Sequence, residues 1–138
     1  MIGKTNTFFF IGALVVVLFS MSAVSAADLK PIHVSGKYVR EKDNERSKLE
    51  ITQLPGGKVH VDGISLYGTS RESGPNIGEL DFVSSLHNGC ITYNEKIGKN
   101  YYKIKITLKD NVLIVMENGV VGNFGMNVSF AGEYHKEP

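Results

Sequence analysis

Four histidines, His33, His60, His87 and His135, and a single cysteine, Cys90, are the residues of this chain best suited to metal binding or nucleophilic attack. His60 and Asp62 are two apart, so in an extended segment they project from one side, opposite Val59 and Val61. The pair reads as a solvent-facing polar row, because a zinc site needs three or four converging ligands. Glu79 or Asp81 would join it only through the register of a neighbouring strand. Those two carboxylates also share one side, opposite Leu80 and Phe82, and nothing in the sequence desolvates either into an acid at neutral pH. The serines occupy no Gly-x-Ser-x-Gly elbow. Cys90 reads as a small buried hydrophobe, with a disulfide between two chains as the alternative in an exported protein. Asn127-Val128-Ser129 matches a glycosylation acceptor but falls in the middle of a predicted strand, which makes the match accidental. These residues predict a protein that is not an enzyme and uses neither a metal nor another cofactor.

Recognition is easier to place than reaction. Gly68 to Asn76 is the longest polar connection, built from Thr, Ser, Arg, Glu, Gly and Pro, and long loops on a rigid β-scaffold are where binding residues gather. Arg71 within it can pair with a carboxylate or phosphate, and Tyr67 beside it offers a stacking face. Together with Tyr38 these are the predicted ligand-binding residues, set at the mouth of a barrel. A floppy hairpin tip is the competing reading of the same composition.

The elements that would hold such a mouth are strands. From Tyr101 to Asp110, Tyr102, Ile104, Ile106 and Leu108 alternate with Lys103, Lys105, Thr107 and Lys109. Strict period two predicts one buried and one wet face, and a one-residue slip would bury three lysines. The same pattern predicts strands at Val34 to Arg40, Lys48 to Leu54, Lys58 to Tyr67, Ile77 to Leu86, Cys90 to Glu95, Val112 to Glu117 and Met126 to Tyr134. Pro55-Gly56-Gly57, Asp110-Asn111 and Asn118-Gly119 supply tight turns, which force antiparallel neighbours. The predicted fold class is therefore all-β: an up-and-down antiparallel meander of about eight strands, closed as a small β-barrel so that its edges are removed. Gly36-Lys37-Tyr38 and Gly132-Glu133-Tyr134 share a Gly-x-Tyr shape, which suggests that the first and last strands meet at the closing seam.

Compartment follows from the start of the chain. Lys4, the apolar run Phe8 to Phe19 and the small residues of Val24-Ser25-Ala26 predict a signal peptide, 1–26, cleaved after Ala26 and leaving a domain at 27–138. The run is shorter than the roughly 20 residues that span a bilayer, and no cysteine next to the cleavage site offers a point for lipid attachment. The expected location is periplasmic or secreted, with no membrane anchor in the mature form. Losing Lys4 lowers the 15 basic residues to 14, against 14 acidic ones, so the composition argues against a nucleic-acid partner. A monomer is expected, with a Cys90-linked dimer as the alternative.

Several phrases resemble a group of small exported bacterial β-barrel proteins of uncharacterised function, similar in appearance to avidin-like and lipocalin-like barrels. They are Ser35 to Tyr38, Leu49 to Val59, Ile77 to Leu80 and Phe124 to Tyr134. The group commonly carries a cysteine pair at places that correspond here to the neighbourhoods of Gly122 and Tyr102, and this chain lacks it. The resemblance implies a fold and a compartment and no catalytic residues. The functional expectation is a binding module for a small ligand or a cell-envelope component. The alternative is a protein-directed role, such as a periplasmic lysozyme inhibitor, because Ser35-Gly36-Lys37-Tyr38 has the Ser-Gly-x-Tyr form found in some of these.

Overall fold

The computed structural model describes residues 32–68, 74–119 and 124–138, all within one compact unit, Pro31–Pro138. They form eight strands: β1 (Gly36–Lys42), β2 (Glu45–Leu54), β3 (Lys58–Tyr67), β4 (Asn76–His87), β5 (Cys90–Ile97), β6 (Asn100–Lys109), β7 (Val112–Gly119) and β8 (Gly132–Lys136). Each pairs antiparallel with its neighbours in sequence, and β8 returns to β1, so the meander closes into a barrel. The predicted signal segment 1–26 lies outside the described residues.

Local chemistry explains the tight connections. Asn88 and Gly89 take φ of 49° and 74°, and Asp110 and Asn111 take 50° and 68°, the left-handed conformations that two-residue hairpins require and that Gly, Asn and Asp adopt most readily. Alternation then sorts the side chains. Tyr102, Ile104 and Ile106 of β6 are buried beside Leu49, Val61 and Leu113, while Lys103, Lys105 and Lys109 stay outside. Each inward Ile or Leu removed from water contributes about 1.5–3 kcal/mol, and this selects the register.

The Gly-x-Tyr echo extends by one alternation, to Gly36-x-Tyr38-x-Arg40 and Gly132-x-Tyr134-x-Lys136, and the two copies clasp each other. The Tyr38 hydroxyl donates to Val34 O at 2.8 Å and the Tyr134 hydroxyl to Phe130 O at 2.9 Å, each reaching four residues back to pin the chain entering its strand. Arg40 lies over the Tyr134 ring at 5.8 Å, and Lys136 lies over the Tyr38 ring at 5.7 Å. Each cation also runs beside the other strand's glycine, where a Cβ would strike the Lys136 or Arg40 stem. With φ of 151° at Gly36 and 139° at Gly132, neither position suits a side chain.

Several predicted boundaries are corrected: Asn118-Gly119, predicted as a tight turn, instead ends β7, paired with Lys103 and Tyr102. β2 begins at Glu45 rather than Lys48, because Asp43 at φ 51° closes the preceding turn early. The predicted last strand, Met126 to Tyr134, is strand only from Gly132, and Phe124–Ala131 runs irregularly along the barrel. Asn127 turns the chain at φ 64°. The backbone amides of Phe130 and Ala131 then bind the Glu117 carboxylate at 2.8 and 2.9 Å instead of a strand. Gly63 and Gly78 leave room for this segment: a Cβ at Gly63 would lie 3.1 Å from the Phe130 ring, and one at Gly78 2.9 Å from the Phe124 ring.

Candidate functional site

Inward-pointing residues are apolar through one part of the barrel and polar toward the end that carries the β1–β2 and β3–β4 connections. Arg40, Ser47 and Ser65 are buried there. Arg40 pairs with Glu45 and donates to Ser47 Oγ at 2.9 Å and to Ser129 O at 2.8 Å. Ser47 and Ser65 share a 2.7 Å hydrogen bond, and Ser65 also donates to Ser129 O at 2.8 Å. Glu117 accepts from the Tyr102 hydroxyl and from Ser129 Oγ, both at 2.6 Å, in addition to the two amides. Burial penalises the Arg40 charge, but the Glu45 hydrogen bond and the Tyr134 side chain outweigh it and hold the guanidinium protonated. Burial, reinforced by Glu117, pushes the Tyr102 phenol well up, so it remains a donor at neutral pH. Arg40 Nε is the buried side-chain nitrogen left without a partner among the described residues. The network fixes Ser129–Ala131 at this end of the barrel. It joins the strands to the β7–β8 connection, and a cavity of about 240 Å³ opens on its Glu117 side, lined by Tyr102, Glu117, Phe124, Val128 and Ser129.

Further space lies at the rim and at one seam. A cavity of about 410 Å³ opens between the β1–β2 turn and the β3–β4 connection, lined by Glu41, Asp43, Glu45, Arg46, Leu66 and Pro75. Glu41 is held by Arg46 at 2.6 Å and Glu45 by Arg40, which leaves Asp43 as the carboxylate outside these ion pairs. A second cleft, of about 150 Å³, lies where β4 and β5 diverge. Phe82, Tyr93, Tyr102 and Phe124 line it together with Glu79, Asp81 and Glu95.

The predicted binding residues separate. Tyr38 is buried, 1% exposed, and its hydroxyl is taken by Val34, so it works in the closing seam and presents nothing at a mouth. Tyr67 ends β3, half-buried and paired across the ladder with Glu45, which lines the rim cavity. Arg71 lies outside the described residues. His60 and Asp81 do meet: Asp81 stands opposite Asp62, and His60 Nε2 lies 2.7 Å from Asp81 Oδ1 on the outer wall. Among the described residues no three His, Cys, Asp or Glu side chains gather as a metal site. The residues of the buried network, Arg40 and Glu117 above all, were not singled out from sequence. The available signal was a charge at an inward position of an alternating strand, Arg40 in step with Tyr38 and Glu117 in step with Leu113 and Val115.

Compared with protein-family models, with curated proteins and with solved structures, the chain finds no match.

Proposed function

We propose that this protein is an exported, non-enzymatic binding module that takes a small ligand or cell-envelope component at the rim groove between the β1–β2 turn and the β3–β4 connection. One observation carries the reading: space of ligand size, about 410 Å³, lies at the barrel end, against about 240 Å³ beside Glu117 and about 150 Å³ at the β4–β5 opening. A groove of this volume falls in the range of small-molecule sites. Its wall of Glu41, Asp43 and Glu45 against Arg46 favours a ligand with positive charge.

Native mass spectrometry of the protein purified gently from an exporting host tests the reading. The expected result is a reproducible added mass that disappears in Asn44→Trp, which fills the groove, while the melting transition stays in place. A bare mass in the wild type, or a mass retained by Asn44→Trp, overturns it. The second reading, a protein-directed role such as inhibition of a lysozyme, draws support from Ile77 and Met126, which are 46% and 76% exposed beside the rim. Its Ser-Gly-x-Tyr phrase contributes little, since Ser35 Oγ accepts from the Gln53 amide at 2.8 Å and Tyr38 is interior.

A further inference from the structure

We propose that the outer wall formed by β5, β6 and β7 is a docking surface for an anionic phospholipid bilayer. Five lysines, Lys96, Lys99, Lys103, Lys105 and Lys109, lie along β5, β6 and the turn between them, all exposed. The outward positions of the three strands carry no carboxylate: Glu95 and Glu117 point with the inward set, and Asp110 sits in the β6–β7 turn. Among the described residues none of the five is within ion-pair distance of an acid, whereas across the barrel Lys37 pairs with Glu50 at 3.7 Å, Arg46 with Glu41 at 2.6 Å and Lys48 with Glu137 at 3.6 Å. Lys42, Lys58 and Lys136 also stand outside these ion pairs, but singly on β1, β3 and β8, so among the described residues the cluster of unneutralised positive charge lies on this wall.

Lysines often guard a free sheet edge against pairing with another chain. That role does not apply here, because β6 is bonded through eight residue pairs to β5 and eight to β7. Tyr101 and Met116, 64% and 63% exposed, stand among the lysines, with Lys96 Nζ 6.0 Å from the Tyr101 ring centre and Met116 directly opposite Lys105. A tyrosine ring settles at the headgroup level of a bilayer and a thioether enters the acyl boundary, while lysines meet lipid phosphates. A nucleic-acid duplex would satisfy the charges but would offer Met116 no apolar region. Adsorption through this wall is reversible and salt-sensitive, since it relies on exposed charge and little apolar area.

Co-sedimentation with phosphatidylcholine vesicles, with and without phosphatidylglycerol, tests this. The expected result is binding to the phosphatidylglycerol vesicles alone, weakened about tenfold or more by Lys103→Glu with Lys105→Glu and by raised salt. Lys96→Gln with Lys99→Gln, exposed and close to the turn, weakens binding by a smaller factor and serves if the first variant fails to fold. Lys37→Glu with Lys48→Glu, on the opposite wall, leaves it unchanged. Absence of binding, equal binding to phosphatidylcholine alone, equal loss in the opposite-wall variant, or equally tight binding of a random DNA duplex at the same salt would each overturn the assignment to lipid.

Discussion

Two seams of this barrel are equally short in backbone pairing and are closed by different means. β1 and β8 share Tyr38↔Lys136 and Val39↔His135, and β4 and β5 share Leu86↔Ile91 and His87↔Cys90. At the first seam the strands trade side chains over two buried rings: each tyrosine carries the other strand's cation and is anchored to its own chain by a hydrogen bond. At the second, β4 and β5 separate beyond the hairpin. They are bridged by the Phe82–Tyr93 ring stack, 4.3 Å between centres, and by Ser84 donating to Thr92 O at 2.7 Å. Closure therefore depends less on ladder length than on what is buried across the seam. Where a ladder is missing, Glu79, Asp81 and Glu95 line the opening, and charge of one sign discourages pairing with a foreign strand.

The comparison can be broken most directly by truncating the rings. Tyr134→Ala is expected to destabilise by about 3–5 kcal/mol, because a fully buried aromatic leaves a cavity, whereas Tyr93→Ala, half-buried at the other seam, costs about 1–2 kcal/mol. Equal shifts in denaturant midpoint would end the distinction. Next in size is Gly132→Ala, which places a Cβ against the Arg40 stem at positive φ. A loss of about 1–3 kcal/mol is expected, and an unchanged midpoint would mean that the clasp is loose.

Alkaline titration sharpens the same contrast. Burial raises the Tyr38 and Tyr134 phenols above their ordinary value of 10.0, the effect at Tyr134 being partly opposed by Ser47 and Arg40. Unfolded tyrosines ionise near that value while the folded ones stay neutral. Their contribution to stability is accordingly full below pH 10 and falls as the pH climbs beyond it. Tyr134→Phe should flatten that fall, at a cost of about 1 kcal/mol at neutral pH; an alkaline limb identical to that of the wild type would contradict the assignment. Amide exchange reads the other seam: Glu79, Asp81 and Val83 of β4 should exchange at least about tenfold faster than amides in the middle of β6. The smallest effect belongs to the exposed His60–Asp81 pair, where Asp81→Asn should change stability by less than about 1 kcal/mol.

Much of the architecture was legible because period-two alternation is a local property. Tyr102, Ile104 and Ile106 declare their face without reference to anything distant, and Asp110-Asn111 declares its turn. The end of the chain misled for the same reason. Met126 to Tyr134 alternates acceptably as a strand, but Glu117, remote in sequence, captures its amides and draws it into the barrel. The candidate site was less legible still. Tyr38 and Tyr67 both read as rings near a mouth, yet Tyr38 stands opposite Leu49 and Tyr67 opposite Glu45, at different levels of the wall.

By itself the sequence determined the all-β class, the antiparallel meander and which face of each strand is wet, since side-chain direction and turn conformation are set within a few residues. Only the tertiary structure decided that Gly36-x-Tyr38-x-Arg40 and Gly132-x-Tyr134-x-Lys136 clasp one another, that Arg40 and Glu117 hold Ser129–Ala131 against the strands, and that five lysines without ion pairs gather on one wall. These depend on the register between strands far apart in the chain, which is fixed by burial across the whole barrel.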